Sequence, residues 1–165
     1  MIWKNVLRFI LLVFVQSAIL SQIGLPLNLH VFLYIYFMLL LPYQIKDWLV
    51  LLLGFASGMM VDILMGTLGI FAFSMTVASF TRVIFFRVAK ANEAGQQKFP
   101  SLKDMKFRNF FLYVSLVSFV HSIAFFMLDA FSFSHFGHTL FLIIGSTIFT
   151  SVAILFCNII FVSKE

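Results

Sequence analysis

Charged residues are scarce in this sequence. Only 10% of the 165 residues are Asp, Glu, Lys or Arg, whereas 62% are hydrophobic and the mean hydropathy is +1.09. A soluble domain of this size needs a largely polar surface, and so few charges cannot supply one. Nearly the whole chain instead lies in apolar runs of membrane-spanning length. The composition therefore predicts a single membrane domain over residues 1–165.

Cysteine and catalytic motifs are also nearly absent. The lone cysteine, Cys157, lies in an apolar run, so the chain can form no intrachain disulfide and no cysteine metal cluster. The sequence contains no phosphate-binding glycine loop, no His-Glu-x-x-His and no serine elbow. These absences predict a protein that is not an enzyme and that has no cofactor. The longest polar stretch, at about 90–106, is too short for a soluble core.

Six hydrophobic segments predict an all-α, polytopic fold with six transmembrane helices. They lie at about 5–23, 27–41, 48–65, 69–86, 108–131 and 139–162. The second is short for a span, because about 15 residues rise only roughly 23 Å against about 30 Å of hydrocarbon. The first begins like a signal peptide, but no small-residue cleavage site follows it, so we predict a retained helix.

The positive charges lie on one side of this topology. With six spans, both termini, the loop at 44–47 and the basic loop at 87–107 share a side, and every Lys and Arg lies in these segments or in the adjoining helix ends. The positive-inside rule makes that side cytoplasmic, with both termini inside. If the second segment did not span, this segregation would break.

The basic loop has two interpretations. Its positive residues are Arg87, Lys90, Lys98, Lys103 and Lys106. They either contact only anionic lipid head groups, at about 1 kcal/mol per charge, or also dock a cytoplasmic protein. Nucleic acid is not an expected partner, because the charges do not alternate with aromatic residues suited to stacking on bases. The net charge of +5 is thus explained by membrane topology.

The most informative stretch is 54–72, at the junction of the third and fourth predicted helices. Gly54, Gly58 and Asp62 recur every four residues and so share one helix face. Glycine at this spacing lets a second helix approach closely. Gly66 and Gly69 predict a tight turn. A carboxyl at this depth needs a partner or a function, so Asp62 is either a proton, ion or substrate site or a group that caps the junction.

A second polar set lies near the outer ends of the predicted helices. His121 and Asp129 are eight residues apart, on roughly one face of the fifth helix. They predict an outer polar cluster that Asp62 and either His135 or His138 would join. No pair has the spacing of a zinc motif, so we expect no metal and favour a histidine that is hydrogen-bonded between helices.

The sixth predicted helix carries a stripe of small and polar side chains. Its members are Gly145, Ser146, Thr147, Thr150 and Ser151. Such stripes are typical of surfaces where membrane helices pack closely. Contact with a ligand is the alternative interpretation.

Residues 58–72 resemble the signature of the MreD family of rod shape-determining membrane proteins. That family carries a Gly-Leu-x-x-Asp segment followed by a Leu-Gly-x-x-Ala segment across this junction. The residues that fall on those positions are Gly58, Asp62, Leu68, Gly69 and Ala72. With Gly54 and Gly66 they form the predicted structural or partner-interface motif.

Other runs are similar to the form of this family found in Bacteroidetes-type bacteria. They lie at 33–37, 41–42, 48–55 and 128–133. His121 matches too, whereas relatives often have a glutamate at the position of Asp129. Phe71 is a departure, because these relatives often have histidine there.

The resemblance implies a role without catalysis. MreD proteins lie in the bacterial inner membrane with MreC, a single-span protein with a periplasmic domain. They belong to the elongation complex, which links the MreB filament to peptidoglycan synthesis by a SEDS-type glycosyltransferase and a class B penicillin-binding protein. Their fold is similar to that of the S-component of energy-coupling-factor transporters. We therefore expect a scaffold that regulates cell shape; the alternative is a substrate-binding membrane subunit of a small-solute, vitamin-type transporter.

Overall fold

The computed structural model describes residues 13–14, 16, 29–42, 45–92, 107–130 and 136–162. In this part of the chain the regular elements are helices, with no strand. They are α1 (Ile35–Leu39), α2 (Asp47–Met65), α3 (Ile70–Asn92), α4 (Phe107–Asp129) and α5 (Phe136–Val162). The helices α2 to α5 are long and apolar enough to cross a membrane, which indicates a multi-pass membrane protein.

Local signals account for the ends of α2 and the start of α3. Lys46 precedes α2 in an extended conformation, and Asp47 in the first turn suits the positive end of the helix dipole. The helix ends at Gly66, whose left-handed backbone (φ 68°) lets its N–H bond the Asp62 carbonyl. Only residues 66–69 separate α2 from α3, so the two helices run antiparallel.

The helices pack in chain order. Extensive contacts join α2 to α3, α3 to α4 and α4 to α5, and α1 lies against α2 and α3. The core forms around α1 and the residues before it, where Phe32, Ile35, Met38 and Leu39 are completely buried. Large apolar side chains also cover the outside of α2 to α5, as expected where a helix bundle faces lipid rather than water.

The second predicted helix is wrong over most of its length. Residues 29–32 have no regular secondary structure, residues 33–34 form a turn, and only Ile35–Leu39 is helical. The segment is nevertheless buried, since Phe32 and Tyr34 are at most 1% exposed. A short apolar run predicts burial but does not distinguish a spanning helix from an irregular segment that protein surrounds.

Other boundaries differ by smaller amounts. Helix α3 continues to Asn92, so Arg87 and Lys90 lie on a helix instead of in the predicted basic loop, and α5 begins three residues early. The first predicted helix, apart from residues 13–14 and 16, lies outside the described residues, as do Lys98, Lys103 and Lys106. Six spans and the S-component fold therefore stay predictions.

Candidate functional site

Asp62 caps the start of α3 from the end of the preceding helix. Its carboxylate is 3% exposed; Oδ2 accepts the backbone N–H of Ala72 at 2.8 Å, and Oδ1 accepts that of Phe71 at 3.2 Å and the hydroxyl of Thr67. The carbonyl of Gly69 accepts the first bond of α3, from Phe73, so Gly69 occupies the N-cap position. Glycine has no side chain that could cap the free amides of α3, so the side chain of Asp62 caps them instead.

We call the junction of α2 and α3, residues 58–72, the corner. Its electrostatics suit a carboxylate. Three donors surround the two oxygens of Asp62, and the positive end of the α3 dipole lies beside them. A buried carboxyl with this set of partners has the geometry of the junction cap, which was one of the two alternatives derived from the sequence.

The glycines of α2 let α3 approach at backbone distance. A Cβ atom at Gly58 would lie 2.5 Å from the Ala72 Cα and 2.5 Å from the Phe71 carbonyl oxygen. One turn earlier, a Cβ at Gly54 would overlap the Ser79 hydroxyl and lie 2.9 Å from the Met38 Cε. The glycine face is therefore covered within the chain, by α3 and α1.

The turn at 66–69 presents one apolar side chain to its surroundings. Gly66 and Gly69 have positive φ values of 68° and 88°, a conformation that disfavours other residues. Nothing lies within 4 Å of a Cβ placed on either, so the backbone conformation is what requires glycine. Leu68 between them is 99% exposed. Among the motif residues it is the one that projects away from the corner.

The polar stripe of α5 holds an irregular segment, residues 29–34. The Ser146 hydroxyl accepts the backbone N–H of His30 at 3.0 Å, and the Thr150 hydroxyl accepts that of Phe32 at 3.1 Å. A Cβ at Gly145 would lie 2.5 Å from the Leu29 Cδ2, so glycine makes room for the segment. The stripe thus packs against residues 29–32, which are not a helix.

Gln16 completes the support of this segment. Its Oε1 accepts the Leu33 N–H at 2.8 Å, and its Nε2 donates to the Val31 carbonyl at 3.0 Å. The side-chain amide therefore pairs with the backbone as a neighbouring strand would. Three backbone N–H groups and one carbonyl of residues 30–33, which a helix would satisfy internally, are bonded by side chains here.

Tyr34 and His121 form a buried pair at the centre of an aromatic cluster. The Tyr34 Oη lies 2.5 Å from the His121 Nε2, and both residues are at most 1% exposed. The His121 ring lies 4.6 Å from that of Phe32, centroid to centroid. Phe71, beside the Asp62 cap, lies 6.0 Å from Tyr34 and 4.9 Å from Phe125. The cluster links the corner of α2 and α3 to α4.

The predicted outer polar cluster is not assembled. His121 faces Tyr34 in the core, whereas Asp129 is exposed at the end of α4 and His138 is exposed on α5. His135 lies outside the described residues. In the part of the chain that the structure describes, no group of three His, Cys, Asp or Glu side chains could hold a metal ion.

Two arginines near the end of α3 differ sharply. Arg87 pairs with Asp47 at 2.7 Å, but both side chains are more than half exposed, so the pair contributes at most about 1 kcal/mol. Arg82 is 3% exposed, and its Nη2 donates to the carbonyl of Leu41 at 2.5 Å. Its guanidinium lies 5.2 Å from the centre of the Phe86 ring. Sequence reasoning missed Arg82; a lone arginine inside an apolar run, which must find a partner, was the available signal.

Comparison of the chain with protein-family models, with curated proteins and with solved structures finds no match. The fold and the site described above therefore rest on the geometry of the chain itself.

Proposed function

We propose that this protein is a non-catalytic scaffold of cell-wall elongation in the bacterial inner membrane, of the MreD type. In this proposal it acts with an MreC-like single-span partner and regulates cell shape and peptidoglycan synthesis. The supporting observation is that Gly58, Asp62, Gly69 and Ala72, which resemble the family signature, make one corner. Their close packing and hydrogen bonds suit a structural role better than an open solute site.

The corner suggests how the scaffold would work. Because Asp62 and Gly58 hold α2 against α3, the turn at 66–69 has a defined position at the end of both helices. Leu68 projects from that turn and is 99% exposed. It is the side chain that we expect an MreC-like partner to contact at the periplasmic surface. At the other end of α2 and α3, Lys46 and Arg87 are exposed and would face anionic lipid.

The decisive experiment is the isolation of the tagged protein from its own membranes in mild detergent, with mass spectrometry of the proteins that accompany it. A single-span coiled-coil protein with a SEDS glycosyltransferase and a penicillin-binding protein would support the scaffold. MreB would be a further expected companion. Recovery of paired ATPases with a second polytopic subunit would instead support the vitamin-type transporter subunit.

Variants of the corner connect this assembly to the structure. Gly58→Leu and Asp62→Asn should each reduce recovery of the partner and change cell shape, because both disturb the corner. Leu68→Ser should reduce recovery while leaving the protein folded, since Leu68 is 99% exposed. Leu64→Ser, on the exposed side of α2, is the matched control. Unchanged recovery and cell shape in all three corner variants would contradict the proposed mechanism.

A further inference from the structure

One turn of α4 carries three buried polar atoms that make no hydrogen bond in the described part of the chain. They are the Ser118 Oγ, the Ser122 Oγ and the Nδ1 of His121. All three residues are 0% exposed. Ser118 lies three residues before His121 and four before Ser122, so its side chain is a neighbour of each on the helix surface, about 5–6 Å away at Cβ. The His121 Nε2 is already bonded to Tyr34.

The two serines differ from three other buried hydroxyls of the described helices. Ser74, Ser79 and Thr147 each donate to the carbonyl four residues earlier in their own helix, at 2.6–2.7 Å. The same bond is the usual one for Ser and Thr inside membrane helices. Ser118 and Ser122 do not make it, so their hydroxyls are free to bond another group.

The unpartnered atoms are concentrated on α4 and α5, the two helices that bond the irregular segment. Six of them lie on α4 and α5, on Ser118, His121, Ser122, Ser151 and Asn158. On α2 and α3 only the Arg82 Nε is in this state, among the described residues. Each buried polar atom without a partner costs about 1–3 kcal/mol, and three on one turn would be a large penalty for a single site.

We infer that Ser118, His121 and Ser122 bind a buried water molecule. A buried water typically makes about three hydrogen bonds to otherwise unsatisfied groups, which matches the three atoms of this turn. A donor or acceptor at Nδ1 holds the imidazole so that Nε2 faces the Tyr34 hydroxyl. The water therefore orients His121, and His121 holds the irregular segment through its bond to Tyr34.

X-ray hydroxyl-radical footprinting of the full chain in detergent tests for this water. Radicals formed from a bound water modify adjacent side chains that bulk water does not reach. Relative to the intrinsic reactivity of each side chain, His121 should be modified several times faster than Tyr113, which is equally buried and donates its hydroxyl to the Leu39 carbonyl. The rate at His121 should fall in the S118A/S122A double variant. Equal rates at His121 and Tyr113 would overturn the inference.

Thermal unfolding supplies a second, independent measurement. Ser118→Ala or Ser122→Ala removes a water ligand, so the apparent Tm should fall by about 2–4 °C. Ser74→Ala is the control, because this hydroxyl is also fully buried but bonds its own helix. A fall no larger than that of the control, or a rise in Tm, would mean that the hydroxyls hold no water.

Discussion

Asp62 takes the place of the missing N-cap side chain of α3. The hydrogen bonds that it makes there offset the cost of burying its carboxyl group. The Phe71 and Ala72 amides, at the second and third positions of α3, are the ones that an N-cap side chain normally bonds. The carboxyl group thereby satisfies two amides that would otherwise lack a partner, and those amides supply hydrogen bonds to oxygens that are buried in an apolar setting. At the scale of single residues, this exchange is the central feature of the corner.

Replacing Asp62 with asparagine should therefore destabilise the protein. The amide keeps one acceptor oxygen, but its NH₂ group would face the N–H of Ala72 or Phe71. We expect the free energy of unfolding to fall by about 2–3 kcal/mol, measured by thermal or chemical unfolding in mild detergent. Asp129→Asn is the control, because Asp129 is exposed. Equal stability of the two variants would contradict the capping role.

Glycine substitutions should follow the atoms that a new Cβ would meet. Gly58→Ala meets backbone atoms of Ala72 and Phe71 and should cost about 1–3 kcal/mol. Gly54→Ala meets the Ser79 hydroxyl and the Met38 Cε, which can move, and the Ser79 Cβ only at 3.0 Å, so it should cost less. Gly137→Ala, with nothing within 4 Å, should leave the unfolding temperature unchanged or slightly raised. Any other order among the three would contradict the predicted packing.

At the scale of elements, the irregular segment at 29–34 distinguishes this bundle from a simple series of antiparallel helices. Residues 29–34 lie between α4 and α5: α5 provides the Ser146 and Thr150 hydroxyls, and α4 provides His121. Non-helical backbone in a membrane domain persists only where protein supplies its hydrogen bonds. Within the polar stripe of α5, Gly145, Ser146 and Thr150 therefore serve a neighbouring segment and not α5 itself.

Two threonines of α5 allow a hydroxyl that bonds the irregular segment to be compared with one that bonds its own helix. Thr150→Val leaves the N–H of Phe32 without its acceptor and should lower the free energy of unfolding by about 1–3 kcal/mol. Thr147→Val, one turn earlier, removes a hydroxyl that bonds only the Ile143 carbonyl of its own helix. The second variant should have a much smaller effect. If both variants lose the same stability, the hydroxyl of Thr150 does not hold the segment.

At the scale of the whole molecule, charge and exposure separate the two ends of α2 and α3. Lys46 and Arg87 lie at one end, and the turn with Leu68 lies at the other, about 28 Å away along a 19-residue helix. For these two helices the positive-inside rule predicts that the first end faces the cytoplasm.

Cysteine labelling would test this orientation. In a Cys157→Ser background, Leu68→Cys should react with a membrane-impermeant thiol reagent in spheroplasts. Lys46→Cys should react only after the membrane is opened, although both positions are exposed. The reverse labelling pattern would show that the protein has the opposite orientation in the membrane. Equal labelling of both positions before lysis would contradict a span between them.

Much of the fold could be predicted because its signals are local. The lengths of the apolar runs predicted α2 to α5, the four-residue spacing of Gly54, Gly58 and Asp62 predicted a closely packed face, and Gly66 and Gly69 predicted the turn. These features depend on residues that are neighbours in the chain. The sequence by itself therefore determined the membrane class, the four long helices and the position of the corner.

Only the tertiary structure decided what each polar residue bonds. Tyr34 and His121 are 87 positions apart, and Phe32 and Thr150 are 118 apart, so no spacing in the sequence links them. The irregular course of residues 29–34 depends on those distant side chains, because without them its backbone would be better satisfied as a helix. The length and periodicity of an apolar run predict that a segment is buried. The packing of the whole chain determines which hydrogen-bond partners stabilise that segment when it is irregular.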